Sequence, residues 1–193
     1  RFSDEEAAPL LCAGIVGYRS LRLTGLQPGE RLGIFGFGAS GHLVLQIARH
    51  WGCEVYVFSR SEEHRAHARE LGAAWAGAAT DTPPARLDRA ISFAPAGWLV
   101  PLALGHLRRG GTLCINAIHT SPIPEIPYAL LWHERTLRTV ANATRRDAEE
   151  FLPLAAAIPL QITSQRFDLD AANEVLQALK RSAITGAAVL RVR

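Results

Sequence analysis

The sequence predicts a doubly wound α/β fold, in which helices flank a parallel sheet of about six strands. Two observations predict this fold. Between residues 30 and 140, short apolar runs alternate with longer segments of helical periodicity, as expected for parallel strands joined by crossover helices. A glycine-rich turn at residues 36–41 follows the first apolar run and precedes the first helical segment. The residues after 146 add a C-terminal extension of helix and strand.

Composition and charge exclude several classes of protein. The 193 residues are 48% hydrophobic and 20% charged, as in ordinary globular domains. No apolar run approaches the roughly 18 residues that span a membrane, and no secretory signal is visible. The net charge of +3 is small, and the arginines form no nucleic-acid-binding stripe. Three widely spaced cysteines indicate reduced thiols. We therefore expect a cytoplasmic protein with no nucleic-acid or membrane partner.

The N-terminal segment is predicted to be a helix over residues 9–24, with Leu11, Ile15 and Leu21 on its inward face. Pro28-Gly29 follows and suits the centre of a type II turn, because glycine adopts the positive φ that this turn requires. The turn leads into the first strand.

The strands are predicted from short runs of β-branched, aromatic and other apolar residues. They lie at residues 31–35, 54–58, 74–78, 89–93, 112–117, 136–141, 161–167 and 187–192. The first six are expected to form the parallel sheet, and the last two belong to the extension. Arg109-Gly110-Gly111 is expected to turn the chain before the fifth strand.

The helices are predicted from the spacing of apolar residues and from residues that begin and end helices. They lie at residues 39–51, 61–71, 99–106, 144–157 and 170–181. Gly52 and Gly72 are placed to end the first two in the left-handed conformation. Pro153 is expected to kink or divide the fourth helix. Leu176 and Leu179 are expected to face inward on the fifth.

The glycine-rich turn carries the main functional prediction. Gly36 allows a tight turn, Gly38 leaves room for a pyrophosphate, and Gly41 lets the helix pack close to the strand. Ala39 and Ser40 lie at the helix start, whose free N–H groups and positive dipole end favour phosphate. The alternative is a strand–helix turn that binds no ligand. The strand before the turn and the helix after it favour a dinucleotide-binding site, as in the Rossmann-type fold.

The end of the second strand indicates which dinucleotide to expect. An acidic residue about 20 positions after the glycines would bind the ribose 2′-hydroxyl of NAD. The strand ends instead in Ser59-Arg60, and Glu62 and Glu63 fall inside the next helix. A hydroxyl and a guanidinium can bind a 2′-phosphate. We therefore favour NADP(H) over NAD(H). The alternative is that Arg60 is a solvated surface residue.

Six motifs occur in order along the chain. They are Pro9-Leu10-Leu11-Cys12-Ala13-Gly14, Gly17-Tyr18-Arg19-Ser20-Leu21, Leu26-Gln27-Pro28-Gly29-Glu30, Gly36-Phe37-Gly38-Ala39-Ser40-Gly41-His42, Arg69-Glu70-Leu71-Gly72-Ala73 and Leu107-Arg108-Arg109-Gly110-Gly111. In this order and spacing they resemble the medium-chain dehydrogenase/reductase superfamily, most closely its zinc-dependent alcohol dehydrogenase branch. The resemblance covers essentially the whole chain. It implies hydride transfer between a nicotinamide cofactor and an alcohol or aldehyde.

The resemblance implies that Cys12 is one ligand of a catalytic zinc ion. In the family the other ligands belong to an N-terminal GroES-like catalytic domain, which this sequence does not contain. A catalytic zinc ion needs three protein ligands, so we expect zinc only in a full-length enzyme and no catalytic residue within this chain. Without its neighbours, Cys12 would be interpreted as a buried structural thiol.

The sequence neither begins with methionine nor contains one, so we interpret Arg1 as an internal residue of a longer polypeptide. Together with the resemblance, this predicts three segments. Residues 1–24 form a linking helix from the absent catalytic domain, and residues 25–146 form the dinucleotide-binding domain. Residues 147–193 form a segment that returns towards the catalytic domain.

The resemblance also implies backbone contacts to the nicotinamide end from Ala94-Pro95 and Ala117-Ile118, which follow the fourth and fifth strands. The sixth strand and the proline-rich loop Thr120–Pro127 resemble the dimer contact of the family, so we expect a homodimer. Many relatives carry an arginine near the pyrophosphate just before the last strand. The matching segment here, Ala183-Ile184-Thr185-Gly186, contains none.

The histidines suggest no catalytic group. His42 lies in the first turn of the glycine helix, where packing or proximity to phosphate is expected. His64 and His67 are expected on a solvated helix face. Two further functions remain open: a zinc-free quinone or enone reductase of the same superfamily, against which Cys12 argues, and a non-catalytic nucleotide-binding module.

Overall fold

A computed structural model describes residues 1–192. The strands are β1 (Arg31–Phe35), β2 (Glu54–Phe58), β3 (Trp75–Gly77), β4 (Leu87–Ser92), β5 (Leu107–Ile115), β6 (Thr136–Thr139), β7 (Ser164–Asp168) and β8 (Ala187–Arg191). The helices are α1 (Asp4–Pro9), α2 (Ile15–Thr24), α3 (Ala39–His50), α4 (Glu62–Glu70), α5 (Leu99–His106), α6 (Tyr128–Leu131), α7 (Arg145–Ala157) and α8 (Ala172–Lys180). A π-helical turn, Leu10–Gly14, joins α1 to α2, and a 3-10 turn, Leu169–Ala171, precedes α8.

Six strands form one parallel sheet in the order β3-β2-β1-β4-β5-β6, which confirms the predicted doubly wound fold. The order reverses between β1 and β4, where Leu32 pairs with Arg89 and Phe35 pairs with Ser92. In such sheets a crevice opens beyond the carboxyl ends of the strands at the point of reversal. β7 and β8 pair in parallel as a separate sheet and, with α8, form the predicted C-terminal extension.

The sheet divides the apolar core into two clusters. Alternate side chains of a strand point to opposite faces, so Leu32 and Ile34 of β1 belong to one cluster and Phe35 belongs to the other. The first cluster includes buried residues of α2, α3 and α4, and the second includes those of α5. On the second face, Phe58 stacks on Phe35 with ring centroids 4.2 Å apart. This packing fixes the ends of β1 and β2, which lie beside the glycine turn.

Three residues predicted to face inward are exposed, whereas Ile15 and Leu21 are buried as predicted. Leu11 is 63% exposed, and Leu10 is buried in its place, because the π-helical turn adds a residue and rotates the helix surface. On α8 the buried residue is Val175, whereas Leu176 and Leu179 are 60% and 46% exposed. Leu179 faces the cavity described below instead of the core.

Two predicted interruptions also differ from the structure. α7 runs continuously through Pro153, so the predicted division is wrong. The buried residues Phe151 and Ala155 on either side of the proline hold the helix by packing. Arg109-Gly110-Gly111 lies inside β5 as an irregular excursion, with Gly110 at φ +70°. The register between β4 and β5 shifts at this point.

Several turn predictions are confirmed. Gly29, Gly52 and Gly72 adopt φ values of +81°, +78° and +88°, as the predicted type II turn and left-handed helix ends require. The hydroxyl of Ser61 accepts the N–H of His64 and caps α4. Within residues 1–192, no helix is both long and apolar enough to cross a membrane.

Candidate dinucleotide-binding site

A cavity of about 1080 Å³ lies at the carboxyl ends of the central strands. Its walls come from the π-helical turn, the glycine turn, the end of β2, the loop after β4 and the C-terminal segment. Most of the residues predicted to bind cofactor or metal line it: Cys12, Gly36, Gly38, Ala39, Ser40, Ser59, Arg60, Ala94 and Pro95. Parts of the chain that are distant in sequence therefore meet around a single space.

Three predicted residues do not line the cavity. Gly41 lies under the start of α3, where it allows close packing. Ala117 packs against the second core cluster, and the side chain of Ile118 is 99% exposed. The chain turns away from the cavity after Asn116, which lines it. The resemblance pointed to the residues after β5, and among these Asn116, one residue before Ala117, lines the cavity.

Gly36 and Gly41 shape the glycine turn. Gly36 has φ +91°, and its N–H donates to the carbonyl of Phe58 at 2.9 Å. A Cβ on Gly36 would lie 2.9 Å from the backbone nitrogen of Ala94, and one on Gly41 would lie 2.9 Å from the carbonyl oxygen of Gly36. Neither position has room for a side chain, because β1, the loop after β4 and α3 meet there.

Gly38 has a different environment from the other two glycines. A Cβ built on Gly38 would meet no atom within 4 Å, and the residue borders the cavity. No side chain caps the start of α3. The first backbone N–H groups of a helix have no acceptor within the helix, and they carry the positive end of its dipole. Ala39 and Ser40 expose this end to the cavity. The corner thus combines open space with donors suited to phosphate.

Among the described residues, the cavity lining carries positive charge and no negative charge. Among the described residues that line it there is no Asp or Glu, and Arg60 is the only Lys or Arg. Arg60 is exposed at the end of β2. Two acidic residues that follow Arg60 in α4 are already bound: Arg69 and Arg65 hydrogen-bond the carboxylate of Glu62 and lower its pKa. Thr185 donates to the carboxylate of Glu63 at 2.5 Å. This arrangement favours an anionic ligand.

Ser182 is a cavity residue that the sequence pattern did not reveal. The Nη2 of Arg60 donates to its hydroxyl at 2.9 Å, and Ser182 adopts φ +58°, a left-handed value uncommon for serine. The two residues are 122 positions apart, and no local motif links them. Ser59, in contrast, is nearly buried and accepts the N–H of Ser61 at 3.3 Å. The guanidinium of Arg60 is therefore held at the cavity rim by the C-terminal segment.

The opposite wall carries Cys12, in the π-helical turn. Cys12 is exposed, which excludes the interpretation as a buried structural thiol. Over residues 1–192, no three His, Cys, Asp or Glu side chains lie close enough together to hold a metal ion. A catalytic zinc ion needs three protein ligands. The described residues therefore do not form such a site by themselves. Burial raises the pKa of Cys53 and raises that of Cys114 to about 11, so neither thiol is a candidate ligand.

The histidines of α4 are not on a solvated face, contrary to the prediction. His64 is nearly buried and borders the cavity. The Nε2 of His67 lies 3.1 Å from the hydroxyl of Thr163. The C-terminal segment packs over α4 and covers this face.

Trp98 also lines the cavity, and its side chain is 52% exposed.

Four features define a dinucleotide-binding domain of the Rossmann type. They are the reversal of strand order, the crowded glycine turn, the helix start that no side chain caps, and the absence of Asp and Glu from the described cavity lining. The chain belongs to the zinc-binding dehydrogenase family. The model of that family matches residues 39–157, more than half of the chain. The predicted resemblance to this family is confirmed.

Curated relatives carry dehydrogenase names. The probable alcohol dehydrogenase AdhA of Mycobacterium tuberculosis (strain CDC 1551 / Oshkosh) is 47% identical over 192 residues, which cover 99% of this chain and 56% of the relative. An alcohol dehydrogenase of Geobacillus stearothermophilus is 31% identical over 97% of this chain and 58% of its own length. The chain thus spans about half the length of the curated relatives it matches.

Solved structures share the fold. A cinnamyl alcohol dehydrogenase from Sorghum bicolor matches with a TM-score of 0.90 and 25% identity, over 98% of this chain and 56% of that one. Acetophenone reductase from Geotrichum candidum in complex with NAD matches with a TM-score of 0.89 and 20% identity, over 98% and 56% of the two chains. CAD from Helicobacter pylori complexed with NADP(H) matches with a TM-score of 0.84 and 22% identity, over 96% and 55%. The fold alone therefore does not distinguish the two cofactors.

Proposed function

We propose that this chain is the NADP(H)-binding part of a zinc-type alcohol dehydrogenase, which transfers hydride between nicotinamide and an alcohol or aldehyde. The observation that carries the proposal is the cavity at the glycine turn, with Arg60 at its rim and no carboxylate among its described lining residues. The names of the relatives support the oxidoreductase class. The charge of the cavity supports the choice of NADP(H) over NAD(H).

The proposed cofactor fits the cavity in two places. The space beside Gly38 and the free N–H groups at the start of α3 suit the pyrophosphate. Arg60 and Ser59 suit the 2′-phosphate of the adenosine ribose, because a guanidinium binds phosphate through several N–H groups. The arginine that many relatives place before the last strand is absent, and the buried Ala187 begins β8. The start of α3 and the end of β2 would therefore bind the phosphates.

The nicotinamide end is assigned to the loops after β4 and β5. Ala94 and Pro95 line the cavity, and we propose that their backbone groups hold the carboxamide. Ala117-Ile118 would complete this contact only if the loop after β5 closed over the cofactor. Bound nicotinamide supplies the carbon that accepts or donates hydride, and the protein orients it.

We assign Cys12 as one ligand of a zinc ion in the complete enzyme. The described residues offer a single thiolate at the cavity, so the remaining ligands would come from other residues. This assignment agrees with the proposed division into a linking helix (residues 1–24), a dinucleotide-binding domain (25–146) and a returning segment (147–193).

A homodimer through β6 is also proposed. β6 is an edge strand with mostly exposed residues, and large apolar side chains lie exposed on and beside the proline-rich loop. Ile123, Tyr128 and Trp132 are 41%, 71% and 56% exposed. An unpaired edge next to exposed apolar surface is typical of strand-to-strand association.

Cofactor titration tests the proposal. NADPH and NADH are titrated against the chain, and NADPH is expected to bind at least about tenfold more tightly. Arg60→Ala is expected to weaken NADPH binding about 10- to 100-fold, since a charge-assisted bond to phosphate is lost. NADH binding should change less than about twofold. Arg145→Ala, an exposed arginine at the start of α7 that does not line the cavity, is the matched control. Tighter NADH binding that Arg60→Ala leaves unchanged would refute the choice of NADP(H).

A further inference from the structure

His42 is a buried polar residue to which the proposed function assigns no role. Its Nδ1 donates to the carbonyl oxygen of Gly38 at 3.2 Å, and its backbone N–H donates to the same oxygen at 3.1 Å. Its Nε2 accepts the N–H of Thr163 at 3.3 Å. Because Nε2 is an acceptor, the hydrogen bonds assign the proton to Nδ1. Both ring nitrogens are therefore satisfied by the neutral imidazole.

The second partner of His42 belongs to a short segment, residues 161–163, which leads into β7. One turn along α3, the side chain of Gln46 donates to the carbonyl of Gln161 and accepts its N–H, each at 2.8 Å. The carbonyl of Thr163 accepts the N–H of Ala187 at 2.9 Å, at the start of β8. The hydroxyl of Thr163 contacts His67 of α4. This segment therefore connects α3, α4 and the two-stranded sheet.

We propose that His42 is a positioning residue that couples the glycine turn to the docking of residues 161–163. Gly38 is the glycine that leaves open space for the ligand, and its carbonyl is held by two donors of His42. The orientation of that peptide group determines where the following N–H groups point. The inference rests on the proposed function, since it concerns binding of the same dinucleotide.

Coupling of this kind acts in both directions. If docking of residues 161–163 fixes His42 and thereby the glycine turn, then a bound dinucleotide must stabilise the docked segment by the same factor. Burial lowers the pKa of His42 to about 4, and the neighbouring His67 contributes in the same direction. The imidazole thus stays neutral at neutral pH, and the two hydrogen bonds persist together.

Two substitutions separate the two bonds of the imidazole. In Asn the amide nitrogen can occupy the position of Nδ1, so His42→Asn keeps the donor to Gly38 and loses the acceptor for Thr163. In Gln the amide oxygen can reach the position of Nε2, so His42→Gln keeps the acceptor and loses the donor. His42→Phe loses both. His50→Asn, at the exposed end of the same helix, is the matched control.

The readouts are the dissociation constant of NADPH and the hydrogen-exchange rate of the Thr163 amide. We expect His42→Gln and His42→Phe to raise the dissociation constant about three- to tenfold, and His42→Asn to raise it about two- to threefold, because undocking of residues 161–163 loosens the glycine turn. The Thr163 amide should exchange faster in the Asn and Phe variants and stay protected in the Gln variant. NADPH should slow this exchange in the unsubstituted chain. A merely structural histidine would leave the exchange rate of the Thr163 amide insensitive to NADPH.

A variant outside His42 keeps the test decisive if the buried substitutions fail to fold. Gln46→Ala releases Gln161 and the backbone carbonyl of His42, but leaves both hydrogen bonds of the imidazole in place. Gln46 does not line the cavity. It should raise the NADPH dissociation constant about two- to threefold through the docked segment. Unchanged NADPH affinity in this variant, despite faster exchange at Thr163, would overturn the coupling. If the unsubstituted chain bound neither NADPH nor NADH, the proposed function itself would fail.

Discussion

The two walls of the cavity differ in how completely this chain builds them. On the glycine wall, Gly36 bonds to β2, Gly41 packs under α3, and His42 holds the carbonyl of Gly38. On the opposite wall, Cys12 is an exposed thiol, and the described chain places no set of metal ligands around it. Both walls face the same space of about 1080 Å³.

The two proposed functions, dinucleotide binding and zinc binding, therefore depend on residues in different parts of the cavity wall. The proposed NADP(H) site uses backbone N–H groups, open space and one cation, and residues 36–60 contain all three. A zinc ion needs several side chains converging on one point, and a single turn of helix supplies only one of them. We therefore expect cofactor binding to be measurable with this chain, whereas metal binding depends on other residues.

The largest expected effect is on the glycine wall. In Gly38→Val the new side chain meets no protein atom within 4 Å at its Cβ, so the fold should persist. The side chain would occupy the space proposed for the pyrophosphate, and NADPH affinity should fall at least about 100-fold, equivalent to about 3 kcal/mol. Titration calorimetry measures the affinity, and thermal unfolding checks the fold.

Gly41→Ala is the matched control for this substitution. Its Cβ would approach the carbonyl oxygen of Gly36 to 2.9 Å, so the expected loss is in stability. Gly38→Val that bound NADPH like the unsubstituted chain would mean that the open space beside Gly38 is not the pyrophosphate site.

The second largest expected effect concerns how the wall that carries Cys12 is held to the rest of the chain. α2 continues from that wall and is held to α7 by the buried Asp147, which pairs with Arg19 at 2.9 Å and Arg22 at 2.6 Å. Burial alone would raise the pKa of Asp147, but hydrogen bonds from Thr144 and the two arginines outweigh it and lower the pKa to about 2. The unfolded value is 3.8, so this stabilisation is present above about pH 4 and is lost as the pH falls towards 2.

Asp147→Asn should therefore lower the free energy of unfolding by about 2 kcal/mol at neutral pH. It should also flatten the acid limb of the stability profile between about pH 4 and pH 2. Urea unfolding at several pH values measures both. Glu149→Gln, on the exposed face of the same helix, is the control and should change neither. An acid limb unchanged by Asp147→Asn would show that this ion pair does not hold α2 in place.

The smallest effect on cofactor binding is expected at Cys12. A thiol reagent should modify Cys12 at least about tenfold faster than Cys53 or Cys114, since the latter two are buried and their pKa values are raised. Cys12→Ser should change NADPH affinity less than about twofold. Mass spectrometry of the labelled chain gives the rates. A large loss of affinity in Cys12→Ser would mean that both walls contribute to dinucleotide binding.

The sequence predicted the parts of the fold that local patterns control. β1 and β2 lie exactly where predicted, because each is a short apolar run bounded by turn residues. Leu11 was misplaced because a π-helical turn shifts the helical period, and periodicity alone does not reveal such a shift. Leu176 was misplaced because the buried face of α8 contains Val175 instead.

In the candidate site, too, the sequence predicted the residues that belong to local motifs and missed those that meet through long-range contacts. The glycine turn and Ser59-Arg60 are local patterns, and all of their predicted residues except Gly41 line the cavity. Ser182 and Thr163 depend on how the C-terminal segment folds back across α4, which is a long-range contact with no motif of its own. The same fold-back of the C-terminal segment covers the face of α4 that carries His67.

Trp98 gives this molecule an optical property. Its indole is half-exposed beside the proposed nicotinamide loop, whereas Trp51, Trp75 and Trp132 do not line the cavity. Indole fluorescence responds to the loss of surrounding water, and its emission overlaps the absorption of reduced nicotinamide. If a reduced nicotinamide dinucleotide binds as proposed, energy transfer from Trp98 would distinguish the filled cavity from the empty one. The chain carries its own reporter of occupancy and needs no attached dye.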